Sequence, residues 1–579
     1  MSSTSDRQYD ETITRLVEYV YHYEVTSDLA ILRARYALMD ALGCALETLQ
    51  QSPECRALIG PYTPGLVAPY GFKLPGTCHQ LDPVKGAFDM ATLIRFLDHN
   101  DAYPGAEWGH PSDNLGAILA VTDWLSRTGA TSQPLTVRTV LIAMIKAYEI
   151  QGCYQIRNAF NKVGLDHTLL VKIASTAVVA WLMGLTEKQA AVALSHAWAD
   201  GHPLRIFRQS PNAGPRKGWA AGDAAMRAVH LCLLARAGQP GIPSALTEPE
   251  WGFLAVSFGG KELQLPRPFK TRVMEEVFFK LITAEGHGIS AVQAAMALAE
   301  TMASKGIDPA TDISRIDIRT HEAAVRIIDK QGPLTNAADR DHCMRYMVSV
   351  VLLKNAIIEA EDYHDSSVWA HDPRVEALRQ RIHMAEDPQF TYGYHHKKAA
   401  ASGLTVFLTN GEQLDEVVVE YPIGHPMHED TLPKVRAKFE RNMQGLFTAE
   451  ETSRVIDAIH QDKLPVDFGQ ELDELGESSL LGFWNDSAYS INPVENRPRA
   501  VAGSRAYVLR IEKEAVRACN ILCEQNAQAP KNFLSRLGEL TSDRTEIIDQ
   551  LLSVILACRD TTAGLLSVMF HVVARRLDV

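Results

Sequence analysis

The chain has 579 residues, of which 46% are hydrophobic and 22% charged, the composition of an ordinary globular protein. Its length exceeds one compact core and predicts roughly three to four domains. The net charge of −13 argues against a nucleic-acid partner, because contacts with phosphates require clustered lysine and arginine. No apolar run approaches the roughly 18 residues of a membrane span, so no membrane association is predicted.

The N-terminus predicts no targeting segment. It lacks the apolar core of a secretory signal, and Asp6, Asp10 and Glu11 make it too acidic for a typical mitochondrial presequence. The residues Leu577-Asp578-Val579 form no peroxisomal signal. We therefore expect a cytoplasmic protein, with the mitochondrial matrix as the alternative.

Helical periodicity dominates the first half of the chain. Apolar residues recur at helical spacing over residues 12–23, 29–49, 84–97, 114–127, 135–152, 167–183, 187–199, 219–237 and 288–304. The break at Thr26-Ser27-Asp28 predicts a cap at the start of the second helix. Because strand signals are weak before residue 310, residues 1–275 are predicted to form an all-helical domain.

The pattern changes after residue 310. Residues 313–320 alternate like a half-buried strand. Residues 404–408 and 416–421 flank the turn Thr409-Asn410-Gly411, which is typical of a hairpin. Residues 276–435 are therefore predicted to form a smaller α/β lid domain. Helices at 433–444 and 449–460 are predicted to pack back on the helical domain, which residues 436–470 complete.

The last part of the chain has a different composition. Residues 471–506 are rich in Glu, Ser, Asn and Pro with little periodicity, which is typical of a linker. A helical block follows at 507–579. The predicted fold class is mostly α: a large all-helical domain, a smaller α/β lid domain and an extra helical C-terminal fragment.

A polar loop with reactive side chains lies between two of the predicted helices. Within residues 98–116 it holds the acids Asp98 and Asp101, Glu107 beside a tryptophan, and His110 before a proline. Loops between buried helices often carry the functional residues of globular enzymes. This loop is therefore the first candidate for a catalytic site, although Asp101 fits the role of a turn or capping acid equally well.

A basic stretch follows in this otherwise acidic chain. It contains Arg205, Arg208, Arg216 and Lys217. Arginine binds a carboxylate through two parallel hydrogen bonds, so the stretch predicts a site for a substrate with several carboxylates. The alternative is a solvated basic loop.

Lys280 and His287 lie at the start of the predicted lid domain. Gly286 and Gly288 flank His287, and glycine allows the close approach of a ligand or the movement of a hinge. We predict that Lys280 and His287 contact the substrate; a plain turn is the alternative.

Several motifs carry a resemblance to a known family. They are Glu107-Trp108-Gly109-His110-Pro111-Ser112-Asp113-Asn114-Leu115-Gly116, Ile145-Lys146-Ala147-Tyr148-Glu149-Ile150-Gln151-Gly152, Val163-Gly164-Leu165-Asp166-His167, Pro215-Arg216-Lys217-Gly218-Trp219-Ala220-Ala221-Gly222-Asp223, Thr320-His321-Glu322-Ala323, Ala338-Asp339-Arg340-Asp341-His342 and Val419-Glu420-Tyr421-Pro422-Ile423-Gly424-His425. Through these motifs, residues 8–470 resemble the MmgE/PrpD family and, within it, the 2-methylcitrate dehydratases. The first motif is highly specific, and the others follow it in the order found in the family.

The resemblance implies a helical domain closed by an α/β lid, a homodimer, and a site that uses neither a metal ion nor another cofactor. It implies the loss of water from a 2-alkylated citrate, which gives an alkyl-cis-aconitate. By their matching positions, the predicted catalytic residues are Asp98, His110, His167 and Lys217. The two histidines are candidates for base and acid, and the sequence does not assign them.

The implied reaction requires several charged groups. A proton must leave a carbon next to a carboxylate, so cations have to stabilise the developing negative charge. The leaving hydroxide needs a proton of its own. The residues predicted to bind the small tricarboxylate substrate are Asp101, Arg205, Arg208, Arg216, Lys280 and His287.

The chain departs from the methylcitrate pattern directly after Asp101. Where those enzymes typically carry Thr, an aromatic and a bulky aliphatic residue, this chain has Ala102-Tyr103-Pro104-Gly105. A hydroxyl is lost and a proline stiffens the segment. The change predicts either a pocket reshaped for a longer alkyl chain or weaker catalysis.

Residues 507–579 do not belong to this family. Ala557-Cys558-Arg559-Asp560-Thr561-Thr562-Ala563-Gly564 resembles the oxygen-activating helix of haem-thiolate monooxygenases, particularly fungal ones, with Cys558 where Gly is usual. The cysteine loop that ligates haem in those enzymes is missing, so the fragment is predicted to be non-functional. We interpret this combination as a fused or misjoined pair of neighbouring genes, and a dehydratase gene beside a monooxygenase gene suggests a fungal secondary-metabolite cluster.

Three functions therefore stay open. The first is a hydro-lyase for 2-methylcitrate or a longer 2-alkylcitrate, in the methylcitrate cycle or in fungal secondary metabolism. The second is a decarboxylase of the cis-aconitate type, which shares the fold. The third is an inactive fusion product. The motif Glu107-Trp108-Gly109-His110 favours the first.

Overall fold

The computed structural model of the protein describes residues 8–130, 135–209 and 211–460. The predicted linker 471–506 and the predicted helical fragment 507–579 lie outside the described residues, as do residues 461–470. Within the described ranges, no helix combines the length and the apolar character needed to cross a membrane.

The chain before residue 280 is mostly helical and is called the helical part. In chain order its helices are α1 (Glu11–His22), α2 (Asp28–Gln51), α3 (Pro53–Arg56), α4 (Pro83–Arg95), α5 (Leu115–Thr128), α6 (Val137–Arg157), α7 (Thr168–Leu182), α8 (Glu187–Ala199), α9 (Arg216–Arg236), α10 (Phe253–Phe258) and α11 (Arg272–Glu276). The longer helices lie where the sequence periodicity predicts them, so these predictions are confirmed. The predicted cap is confirmed as well, because the Ser27 hydroxyl accepts a hydrogen bond from the N–H of Ala30.

A short antiparallel pair departs from the all-helical prediction for this region. Strand β1 (Phe72–Lys73) pairs with β2 (Gln80–Leu81), with Phe72 opposite Leu81. Strands of two residues are too short to show a period-two pattern.

The following α/β part contains one four-stranded sheet and several helices. Its elements are α12 (Ile289–Lys305), β3 (Ile313–Thr320), α13 (Glu322–Ile328), α14 (Ala337–Arg340), α15 (Met344–Lys354), α16 (Val368–His371), α17 (Pro373–Arg379), β4 (Ile382–Glu386), α18 (Pro388–Lys397), β5 (Ser402–Leu408) and β6 (Val417–Val419). The strand order is β4-β3-β5-β6, with β3 parallel to β4 and antiparallel to β5. The predicted hairpin of β5 and β6 is confirmed. Strand β4 is not predicted, because only Ile382 among its residues is buried and the alternation is lost.

Two hydrophobic cores lie within these parts. The first is formed by the helical part together with the last described helices, α19 (Thr431–Met443) and α20 (Ala449–His460), through side chains such as Val435 and Phe439. The second lies in the α/β part, between the sheet and helices such as α12 and α15. We therefore keep as a proposal the division into a helical domain, 1–275 with 436–470, and a lid domain, 276–435.

The segment Phe278-Phe279-Lys280, where the chain passes into the α/β part, is held by two distant loops. Phe278 pairs with Ala102 in both directions, with N···O distances of 2.8 and 2.9 Å. The N–H of Phe279 donates to the carbonyl of Gly424 at 3.0 Å. Gly424 has a φ of +98°, and a Cβ there would lie 1.8 Å from the carbonyl oxygen of Phe279. Glycine is therefore required for this close approach.

We expect Gly424→Ala to destabilise the protein by more than the roughly 1–2 kcal/mol that alanine costs in a left-handed conformation. The added methyl group meets a backbone carbonyl, which cannot rotate away as a side chain does. Gly411→Ala is the matched control, because Gly411 has a φ of +88° and open space around its Cβ position. Urea unfolding measures both variants, and equal losses would contradict the close approach.

Candidate active site

Asp98 lies at the centre of a group of cations just after α4. Its φ of +60° is left-handed, and this turn places its carboxylate against the end of the helix. Oδ1 accepts hydrogen bonds from Arg95 Nη1 at 2.6 Å and Lys280 Nζ at 2.7 Å. Lys217 Nζ lies 3.4 Å from Oδ2 and equally far from a carboxylate oxygen of Asp341. Three separate parts of the chain therefore meet at Asp98.

The charge of Asp98 depends on these neighbours. Burial alone would raise the pKa of Asp98, but Arg95, Lys280 and Lys217 outweigh burial and hold it well below its usual range. Asp98 is therefore a carboxylate at any pH at which the protein is expected to work.

His110 is held by the same group of charges. Its Nδ1 lies 2.7 Å from the carbonyl oxygen of Asp101, which can only accept, so we assign a proton to Nδ1. Nε2 then accepts from Arg95 Nη2 at 3.0 Å and lies 3.7 Å from Asp98 Oδ1. Burial, together with Arg95 and Lys280, holds the pKa of His110 well below its usual range, so the ring is neutral.

His167 faces His110 from the start of α7, with ring centroids 5.6 Å apart. Within the described part of the chain, its buried Nε2 has no hydrogen-bond partner. Burial holds the pKa of His167 well below its usual range, although Asp166 beside it acts in the opposite direction. His167 is therefore a neutral ring with one nitrogen whose hydrogen-bonding capacity the described residues leave unused.

Asp166 connects a second basic group to the histidines. Arg208 donates to both of its carboxylate oxygens, and Arg205 Nη1 lies 3.8 Å from Oδ2. Arg205 also donates to the buried Glu107 at 3.0 Å. Burial would raise the pKa of Asp166, but Arg208 above all holds it well below its usual range.

His287 belongs to a chain of hydrogen bonds between the α/β part and the loop after Asp98. Glu285 lies 2.8 Å from its Nδ1, and the hydroxyl of Tyr394 lies 3.2 Å from its Nε2. The same hydroxyl accepts a hydrogen bond from Trp108 Nε1 at 2.7 Å. Burial would raise the pKa of Glu285, but His287 lowers it to about 2. The two parts of the molecule therefore meet at Trp108, two residues before His110.

The structure brings most of the residues predicted from the sequence into one region. Those that contact one another around Asp98 directly are His110, Lys217 and Lys280. Arg205 and Arg208 are connected to it through Asp166 and His167.

Asp101 and Arg216 are placed differently. The carboxylate of Asp101 is completely buried and accepts the N–H of Ser112 at 3.0 Å, a contact of the turn-acid kind. Arg216 is not brought to the group: its guanidinium lies 4.1 Å from the ring centroid of Trp219 and pairs with Asp223. The predicted binding roles of both residues stay predictions.

The departure from the family pattern, Ala102–Gly105, lies at the junction of the loop with the α/β part. Ala102 pairs with Phe278, and the buried Tyr103 donates to Glu276 at 2.9 Å and accepts from Lys398 at 2.6 Å. Its effect on alkyl-chain length or on catalysis stays a prediction.

Two residues of the site are not identified by the sequence analysis. Arg95 contacts both Asp98 and His110, and Asp166 holds Arg208 beside His167. The signal that could have identified Arg95 is an arginine in the last turn of a largely apolar helix, three residues before an acid. Asp166 stands in a quoted motif, but its position before a histidine does not show which cations surround it.

The arrangement defines an acid–base enzyme for a small carboxylated molecule. Three cations face the two carboxylates of Asp98 and Asp341, and beside them is the neutral His167, whose Nε2 no described residue binds. Such a group can bind an anion, stabilise negative charge that develops on it and accept a proton. In the ranges that the structure describes, no three histidine, cysteine, aspartate or glutamate side chains are grouped to hold a metal ion.

Comparison with known proteins gives the family. Residues 14–266 match the MmgE/PrpD N-terminal domain and residues 283–462 match the MmgE/PrpD C-terminal domain. The chain therefore belongs to the MmgE/PrpD family.

Curated relatives match most of the chain. The 2-methylcitrate dehydratase-like protein oryR of Aspergillus oryzae is 56% identical over 462 residues, which cover 79% of this chain and 93% of the relative. The alkylcitrate dehydratase phiI of a fungal species is 50% identical over 79% of this chain and 92% of its own length. The 2-methylcitrate dehydratase of Escherichia coli is 51% identical over 78% of this chain and 93% of its own length.

Asp113 gives the site a pH-dependent stability. It is completely buried, its Oδ1 accepts from Asn100 at 3.0 Å, and Arg95 Nε is 4.0 Å away. Burial raises the pKa of Asp113 to about 7 despite Arg95. A raised folded-state pKa contributes stability that is present below the unfolded-state pKa of about 4 and is lost as the pH rises toward 7.

We therefore expect Asp113→Asn to become more stable relative to the wild type between pH 5 and 7, by up to about 1.4 kcal/mol per pH unit. Asp98→Asn is the control, because the pKa of Asp98 is shifted in the opposite direction. Its lowered pKa means that the Asp98 carboxylate contributes to the free energy of unfolding at every pH above about 4. Asp98→Asn should lose a constant amount over the same pH range. Urea unfolding at each pH measures both, and pH curves for Asp113→Asn that run parallel to the wild type would contradict the assignment.

Proposed function

We propose that the protein is a hydro-lyase that removes water from 2-methylcitrate or a longer 2-alkylcitrate and forms the alkyl-cis-aconitate. The observation that carries this proposal is the group of Arg95, Lys217 and Lys280 around Asp98, beside the facing rings of His110 and His167. Relatives that are 47–52% identical and are named 2-methylcitrate or alkylcitrate dehydratases support the same reaction, as does a 2-methylcitrate dehydratase-like protein that is 56% identical.

The cations around Asp98 would bind the substrate carboxylates. Asp98 accepts from Arg95 and Lys280, and Lys217 lies 3.4 Å from both Asp98 and Asp341, so two carboxylates face three cations. The excess charge would attract a tricarboxylate and stabilise the negative charge that develops when the carbon next to a carboxylate loses its proton. Both effects are strengthened by burial, because few water molecules screen the charges.

The hydrogen bonds of the two histidines favour His167 as the proton acceptor. His110 uses Nδ1 toward Asp101 and Nε2 toward Arg95, so it would have to break a bond before taking a proton. His167 is neutral, and its Nε2 is unpaired within the described chain. We therefore assign proton abstraction to His167 and assign to His110 the task of holding Arg95 in place.

The leaving hydroxide would receive a proton from Lys217. Its side chain is 18% exposed, whereas that of Lys280 is 4% exposed and is tied to Asp98 by two hydrogen bonds. Lys217 therefore has a donor to spare for the substrate hydroxyl, and Lys280 keeps Asp98 in position.

Two further features belong to the proposal. The family resemblance supports a homodimer, which light scattering on the purified protein would measure. A cytoplasmic location is proposed, with the mitochondrial matrix as the alternative, and a fluorescent fusion of the full chain distinguishes the two.

The reaction is tested with purified full-length protein and two substrates, 2-methylcitrate and a hexyl-type alkylcitrate. We expect the ultraviolet absorbance of a conjugated alkene to rise with at least one of them, and the ratio of kcat/KM values to report the preferred chain length. No rise with either substrate would refute the proposal. Release of carbon dioxide from cis-aconitate would indicate the decarboxylase instead, and no turnover of any of the three would indicate an inactive fusion.

We expect Lys217→Gln to lower kcat by about 100-fold or more, the usual contribution of an acid that donates in the transition state. Arg227→Gln is the control on the same helix, because Arg227 pairs with Asp200 and its side chain is 44% exposed. Its kcat/KM should stay within about fivefold of the wild type, as for a surface ion pair. Equal losses in the two variants would contradict the assignment of Lys217, and so would wild-type turnover in Lys217→Gln.

A further inference from the structure

Lys438, on α19, places a buried ammonium group directly behind the candidate active site. Its Nζ donates to the carboxylate of Asp40 at 2.7 Å, to the carbonyl of His99 at 2.8 Å and to the carbonyl of Lys280 at 2.9 Å. An ammonium group has three N–H donors, so all of them are used. The side chain is 7% exposed, and that of Asp40 is 1% exposed.

The two carbonyl acceptors belong to the segments that carry the central ion pair. His99 directly follows Asp98, and the other acceptor is the peptide group of Lys280, whose own ammonium binds Asp98. Lys438 therefore joins the backbone on both sides of the Asp98–Lys280 pair. Asp40, on the buried helix α2, fixes the position of Lys438 in turn.

The ammonium of Lys438 stays charged in this position. Burial alone would lower the pKa of Lys438, but Asp40, followed by Cys44 and Glu47, outweighs burial and raises it. His99 has a second restraint, because its Nδ1 lies 3.0 Å from Glu47 Oε2.

We propose that Lys438 is a positioning residue, which sets the separation of Asp98 and Lys280 by holding the backbone segments that bear them. The proposal extends the proposed function and rests on it. For stability alone, a buried lysine requires only its aspartate partner. Lys438 in addition binds the carbonyl of His99, which follows Asp98, and the carbonyl of Lys280 itself. Displacing reacting groups by about 1 Å costs on the order of 100-fold in rate, so a small shift of Lys280 is enough to matter.

The chain contains a matched control in Lys85 and Asp89. Lys85 Nζ binds Asp89 and the carbonyl of Leu58, with side-chain exposures of 3% and 0% for the pair. Both residues lie on α4, and Lys85 precedes Arg95 by ten residues, about 15 Å along the helix. This pair is as buried as Lys438 and Asp40, but among the described residues it has no hydrogen bond to the segments around Asp98 and Lys280.

The test compares full-length Lys438→Met/Asp40→Asn, Lys85→Met/Asp89→Asn and Asp40→Asn alone. Each double variant removes the two charges together, which avoids leaving one buried charge unpaired. The measurements are kcat and KM, the thermal midpoint, and hydrogen exchange of the amides at residues 97–101 and 278–282.

We expect Lys438→Met/Asp40→Asn to lose about 100-fold in kcat with KM changed less than about threefold, and to exchange faster in both segments. Lys85→Met/Asp89→Asn should lose a similar amount of thermal stability and keep its kcat and the exchange rates of both segments. Asp40→Asn alone should keep most of its kcat, because Lys438 retains its two carbonyl bonds.

Other results would overturn the proposal. It fails if Lys438→Met/Asp40→Asn keeps its kcat, or if kcat falls equally in the control pair. If the double variant does not fold, Lys438→Gln replaces it, since the shorter amide retains some hydrogen-bond donors. The kcat of Lys438→Gln should then be lower than that of the wild type, by less than the 100-fold expected for the double variant. A wild type without turnover would refute the proposed function, and the exchange rates of the two segments would still decide whether Lys438 positions them.

Discussion

A carboxylate that is removed from water has to be compensated where it lies, and the compensation of Asp98 comes from three parts of the chain. Arg95 ends α4, Lys217 lies in the first turn of α9, and Lys280 precedes the α/β part. None of these cations is close to another in sequence, so the site forms only when the helical part and the start of the α/β part are assembled. The same interaction explains the left-handed backbone of Asp98, because strained conformations persist where surrounding contacts enforce them.

Burial, reinforced by the positive charges nearby, lowers the pKa of both histidines. Arg95 and Lys280 oppose a proton on His110, and Arg208 and Arg95 oppose one on His167. Both rings are therefore neutral, yet their hydrogen bonds differ: His110 is paired on both nitrogens, whereas Nε2 of His167 has no partner among the residues that the structure describes. Two residues of the same type thus become suited to different tasks, one to holding an arginine and the other to accepting a proton.

The sequence predicted much of the fold because most of its helices are long and periodic. The predicted spans of helices such as α2 and α12 agree with the structure within a few residues, and so does the strand β3. Strand β4 has no readable alternation, since it lies at the edge of the sheet with mostly exposed side chains. Asp98, His110 and Lys217 were identified by their matching positions in the family, and the structure brings them together. Arg216 has the same side-chain type as Arg208 and lies in the same basic stretch, but it faces Trp219 instead.

The helical framework, the change to an α/β part and the family could be predicted from the sequence, because helical period, strand alternation and the residues of a motif are local properties of the chain. Which charges come together depends on the tertiary structure. Arg95 joins Asp98 across one turn, but Asp166 needs Arg208, and Lys438 needs Asp40, His99 and Lys280 from far away in the chain. Such contacts leave no periodic signal, since they depend on how finished helices pack, and burial then sets the strength of every interaction among them.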